Sequence, residues 1–120
     1  MPDASPTERA RARADLNTAL MASSGRSATT VYGEHQRGLR QTVIALAAGQ
    51  VLEDHAYPGE ATVYVLQGRV RLVARAASCE GLAGDLLVLP DCSHSLQALE
   101  DVAVLLTVAT PARRLMADRA

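Results

Sequence analysis

The stretch GQVLEDHAYPGEATVYVLQG, residues 49–68, decides how this chain is read. It couples one histidine, His55, and one acid, Glu60, to an alternating run, TVYVL, that stops at a Gln67-Gly68 turn. Thr, Val and Tyr favour a pleated, half-buried strand, and Pro58-Gly59 just before them marks a turn. A second stretch, GDLLVLPDCSHSLQA at 84–98, repeats the order of glycine, apolar run, proline and histidine. Both segments read as strands that deliver a polar side chain to a turn, and the rest of the chain reads as wall around them.

Working outward, Ser5-Pro6-Thr7-Glu8 is a helix start, with Ser5 as N-cap, Pro6 at the first helical position and Glu8 three residues after the cap. The helix is expected to run to about Ser23, with Gly25 near its C-cap and Leu16 and Leu20 on a narrow apolar stripe. Strands are expected at 28–32, 39–47, 62–66, 69–74, 86–89, 94–99 and 102–109, separated by glycine, proline and aspartate turns. TVYVL and RVRLVA are expected to pair as a hairpin, Ser78 and Cys79 to lie in a loop, and the tail after Pro111 to add a short helical turn. About eight short strands after one helix, with no βαβ rhythm, argue for an antiparallel sandwich or barrel. The domain division is 1–26 for the tail and helix, 27–112 for the barrel and 113–120 for the C-terminal tail.

Length and composition narrow the function classes. A chain of 120 residues is one domain, long enough to bury about two-thirds of its unfolded surface. The net charge is −1, and the 12 basic residues, all Arg, are dispersed among acids. With three Tyr and neither Phe nor Trp, a base-stacking nucleic-acid surface is not expected. No apolar run approaches the ~18 residues of a membrane span, and the N-terminal residues lack the apolar core of a signal peptide. Cys79 and Cys92 form no CxxC pair, so they read as reduced thiols and the expected location is cytoplasmic.

At the two glycine-to-histidine segments the sequence resembles the cupin superfamily, small single-domain barrels of the cupin 2 type, over residues of about 39 to 109. The first motif of that family runs from a glycine through a His-x-His pair and a glutamate to a second glycine. Gly49, His55 and Gly68 match it. Tyr57 stands where the second histidine falls, and counting back from Gly68 puts the glutamate position at Ala61, with Glu60 one residue out of register. The second motif runs glycine, proline, glycine, histidine, asparagine. Here Gly84 and Pro90 match, Cys92 replaces the glycine, His94 comes one residue early and Ala98 replaces the asparagine. The resemblance implies an all-β, cupin-like antiparallel barrel (jelly roll) preceded by the N-terminal α-helix.

It also implies a site. Family metal centres gather three histidines and a glutamate inside the barrel around a divalent ion. His55 and His94 map onto the first and last of those ligands, so a weak site for Zn, Fe, Mn or Ni is implied. Tyr57 lies on the same strand face as His55 by alternation, and Glu60 follows a turn that can absorb a register slip; these are the proton-transfer candidates. Gln41, placed by parity alone, joins Tyr57 as a substrate-pocket candidate. His35 in a polar turn and the Cys92 thiol are weaker third-ligand candidates, each more simply read as a solvated histidine and a plain thiol.

Two function classes follow: a metal-dependent enzyme acting on a small oxygenated molecule (a dioxygenase, isomerase or decarboxylase, for example), or a metal-free module that binds or senses a small ligand. The partners expected are a small molecule and a second copy of the chain. The apolar strands VAVLLTVA and TVYVL read as a sheet buried on both faces, which suits a homodimer.

Overall fold

The computed structural model describes residues 6–33, 38–54, 60–75 and 77–109. In chain order the elements are α1 (Pro6–Met21), β1 (Arg26–Tyr32), β2 (Leu39–Leu46), β3 (Val51–Asp54), β4 (Glu60–Gln67), β5 (Arg69–Ala74), β6 (Ala77–Leu82), β7 (Leu86–Val88), β8 (His94–Ala98) and β9 (Val102–Ala109). Pro6 opens α1, where its fixed φ is helical and its missing N–H has no partner to lose. α1 ends at Met21, two residues short of the expected Ser23, and Gly25, at φ +69, closes the turn that follows it, its N–H bonded to the Ala22 carbonyl.

The strands form two antiparallel sheets, sheet A in the order β1-β2-β9-β4-β7 and sheet B in the order β3-β8-β5-β6. Neighbours such as β2 with β9 and β3 with β8 are far apart in sequence, so the chain crosses repeatedly between the sheets in jelly-roll manner. Alternation sorts the side chains. Leu46, Val63, Val65, Val102 and Val104 of sheet A meet Val70, Leu72, Leu96 and Ala98 of sheet B in one core. The opposite face of sheet A carries Val43, Ala45, Ala103 and Leu105, all buried. There α1 lies across β1, β2 and part of β9 and reaches the near edge of β4, with Leu16 and Ala19 against Ala45.

Three local expectations are corrected. TVYVL and RVRLVA are not a hairpin: β4 pairs with β9 and β7, whereas β5 pairs with β6 and β8. The Gln67-Gly68 step is a corner between sheets, with Gly68 at φ +86 packed on the backbone of Asp101 and Val102. Ser78 and Cys79 lie in a strand, β6, which pairs with β5 along its whole length. Only Gly81 of β6 is buried, so no apolar alternation announced it. Finally, Leu20 is 49% exposed, because the buried arc of α1 is Ala12, Asp15, Leu16 and Ala19, and Leu20 stands roughly 90° from its middle.

Asp15 is a buried acid in that arc. Its Oδ1 accepts a hydrogen bond from Thr29 Oγ1 at 3.1 Å and lies 3.9 Å from the Arg11 guanidinium. Its Oδ2 has no hydrogen-bond partner among the described residues. The Thr29 hydrogen bond ties the flank of α1 that bears Arg11 and Asp15 to β1, and the Arg11 pair lies within the helix.

Candidate ligand-binding site

His94 opens β8 and is buried, pairing across the sheet with Asp54, the last described residue of β3. Its Nδ1–H donates to the Cys92 carbonyl oxygen at 2.9 Å. A carbonyl can only accept, so the proton sits on Nδ1, and in the neutral ring Nε2 carries the lone pair. The Pro90–Ser93 turn produces this contact by doubling the chain back, so that the carbonyl two residues before the ring reaches it. The sequence offers the Cys92 thiol as a partner; the Cys92 group that meets the His94 Nδ1 is its backbone carbonyl.

The His94 ring lines the inner end of the core, beside Ile44, Leu52, Val63, Leu89, Leu96, Val104 and Leu106. The free volume there is about 10 Å³. A water needs roughly 10–15 Å³ on the same measure and several polar partners, so the interior around His94 is close-packed and dry. Leu89 forms part of this lining and also of an open cleft of about 380 Å³ between the ends of β4 and β7. The cleft is lined by Glu60, Ala61, Thr62, Val88, Leu89, Pro90 and Asp91. The Leu89 N–H donates to the Ala61 carbonyl at 3.0 Å, which pins the partition between the cleft and the barrel interior.

The proposed site residues therefore separate. Glu60 is exposed at the start of β4 and belongs to the cleft, opposite Asp91; it is not in the His94 chamber. Gln41 points away from the core: it shares the face of β2 that carries Val43 and Ala45, and its Nε2 donates to Thr107 Oγ1 at 3.2 Å. Parity grouped Gln41 with Val43 and Ala45 but could not say which face of β2 was inner. His55, Tyr57 and His35 lie outside the described residues. Among the described residues no three His, Cys, Asp or Glu side chains come together as metal ligands.

Leu89 and Asp91 were missed as cleft residues; the available signal was the Pro90 turn of the second motif. A further hollow, over the outer face of sheet B, is lined by Arg71, Arg75, Ser78, Glu80 and Gln97. It is a solvated ion-pair surface. Arg71 donates to Glu80 at 2.9 Å and holds that carboxyl below the ordinary glutamate range, with Arg69 and Arg71 charges adding to the effect and slight burial opposing it.

No protein-family model matches the chain, and no curated protein matches it in sequence. Solved structures do. A conserved protein of unknown function from Streptococcus pyogenes is 27% identical, with a TM-score of 0.65 over 75% of this chain and 78% of its own. An RmlC-like cupin protein from Desulfovibrio desulfuricans is also 27% identical, with a TM-score of 0.61 over 70% of this chain and 81% of its own. A cupin superfamily protein from Desulfitobacterium hafniense, 15% identical, has a TM-score of 0.65 over 72% of this chain and 78% of its own.

Proposed function

From the premise that this chain has the cupin fold, we propose that it binds a small molecule in the open Glu60–Asp91 cleft at the His94 end of its barrel, with Leu89 as the wall that must move for the ligand to meet the His94 ring. The observation that carries this reading is the buried His94 ring, held in one tautomer by the Cys92 carbonyl in an otherwise apolar lining. A buried imidazole oriented through Nδ1 by a backbone carbonyl is the arrangement in which Nε2 serves as ligand or hydrogen-bond acceptor.

Among the described residues His94 is the one donor in that lining, so a weakly held divalent ion would depend on donors beyond them. His94 supplies Nε2, and His55, which the family resemblance maps onto the first ligand and which lies outside the described residues, would supply the second. Bound there, the ion supplies Lewis-acid polarisation of a ligand oxygen. If a reaction occurs, Glu60, acting from the cleft, and Tyr57 are the proton-transfer candidates of this reading. The protein acts as a homodimer in this reading.

A metal-free binding module is the second reading, favoured by the absence of a third donor among the described residues and by the apolar lining around His94. Metal content of protein purified without chelator separates the two, repeated for His55→Ala and His94→Ala. Stoichiometric metal that is lost in either variant is the expected result. Sub-stoichiometric metal that neither substitution alters would leave only the metal-free module.

A further inference from the structure

We propose that the half of sheet A's outer face not covered by α1 is a two-fold interface with a second copy of this chain, and that the second copy walls the open side of the Glu60–Asp91 cleft. This rests on the homodimer reading above and assigns its surface. On the β4–β7 half of that face, Tyr64 pairs with Leu86 and Thr62 with Val88. Leu86 is 43% exposed and Val88 72% exposed, so both outward positions of β7 carry large aliphatic side chains where a sheet facing water carries polar ones. On the same face of sheet A, the last turn of α1 leaves Leu20 49% and Met21 88% exposed.

The charges say what covers this patch. Asp85 and Asp91 bracket β7, and Glu60 stands at the start of β4, so the apolar patch has an acidic rim. On α1, Asp15 fixes one flank to β1 through Thr29. Arg13 and Leu20, seven residues apart and therefore on one face, form the other flank. Arg13 is exposed and makes no ion pair among the described residues. Each copy thus offers a basic-apolar helix flank and an acidic-apolar half-sheet. A two-fold rotation sets the flank of one copy on the half-sheet of the other, twice, which is the self-complementarity an isologous interface requires. Thr62 and Val88 belong both to this patch and to the lining of the cleft, so a copy seated on the patch also covers the cleft.

Sedimentation velocity on the full chain, with far-UV circular dichroism as the control for folding, tests the assignment. The wild-type chain sediments as a dimer, and Val88→Asp, at a solvent-exposed position, yields folded monomers. Arg13→Glu weakens the dimer by about threefold to tenfold, the scale of an exposed charge pair formed twice across the two-fold axis. Val31→Asp, on the exposed end of β1, leaves it intact. For the cleft, Glu60→Cys in a Cys79→Ser, Cys92→Ser background is labelled by a maleimide several-fold more slowly in the dimer than in the same protein carrying Val88→Asp. A dimer indifferent to Val88→Asp, or one broken by Val31→Asp, overturns the interface while sparing the homodimer. Equal labelling rates overturn the closure of the cleft. A wild-type chain monomeric up to about 100 μM overturns the homodimer reading as well.

Discussion

Gly68 sits at φ +86, and a Cβ placed there would meet the Asp101 carbonyl oxygen and, at 2.7 Å, the Val102 side chain. Gly84 has a similar φ of +96, but a Cβ there would find nothing within 4 Å. The two positions therefore separate backbone strain from crowding. Gly84→Ala is expected to cost about 1–2 kcal/mol, from the left-handed backbone alone. Gly68→Ala is expected to cost about 2–4 kcal/mol, because the obstacle is backbone that cannot rotate aside. Urea unfolding of the two variants checks the order; equal midpoints would mean the corner relaxes. Both glycines were legible as turns in the sequence. That Gly68 turns between sheets was not, because the obstacle at that corner comes from Asp101 and Val102, far along the chain. His94 was equally legible as a candidate, whereas its tautomer depends on the carbonyl of Cys92 and on the local path of the turn between them.

The β5–β6 pair shows why an element can hide. Arg71 and Glu80 face each other across the ladder at 2.9 Å, and Arg69 lies 3.8 Å from the same carboxylate. Neither strand partner can be seen in ASCEGL alone, which has no apolar alternation. The Glu80 carboxyl is held below its ordinary range first by the Arg71 hydrogen bond. A depressed carboxyl stabilises the fold above the unfolded-state value, about 4.3, and that contribution is lost as pH falls through the lower folded-state value. The pair is half-exposed, so the effect is small and screened by salt. Glu80→Gln is expected to flatten this part of the acid limb of a stability–pH curve and leave stability at pH 9 close to that of Glu80→Ala. Unaltered acid sensitivity at low ionic strength would count against the ion pair. α1 is a similar case at its own edge: its start and end were readable from Pro6 and Gly25, but its buried arc is set by the sheet beneath it and includes Asp15 in place of Leu20.

At the scale of the whole molecule, sheet A has one face in the core and the other only half covered by α1. In the proposed dimer, burial of the remaining half by a second copy would link folding to association, so the thermal midpoint of the wild-type chain is expected to rise with protein concentration. A midpoint independent of concentration, in protein that sediments as a dimer, would show that the copies part before they unfold. No helix among the described residues is long and apolar enough to cross a membrane, which agrees with the absence of such a run in the sequence.

The sequence by itself determined the all-β architecture, the N-terminal helix and the resemblance to cupins, because strand alternation, helix capping and glycine–proline punctuation are local properties that a few residues express together. Only the tertiary structure decided which strands share a sheet, that Gln41 faces outward with Val43 and Ala45, and that Glu60 lines a cleft separated from His94 by Leu89. Those outcomes rest on pairings between segments distant in sequence, such as β2 with β9 and β3 with β8, where period-two alternation names two faces but not which of them becomes the inside.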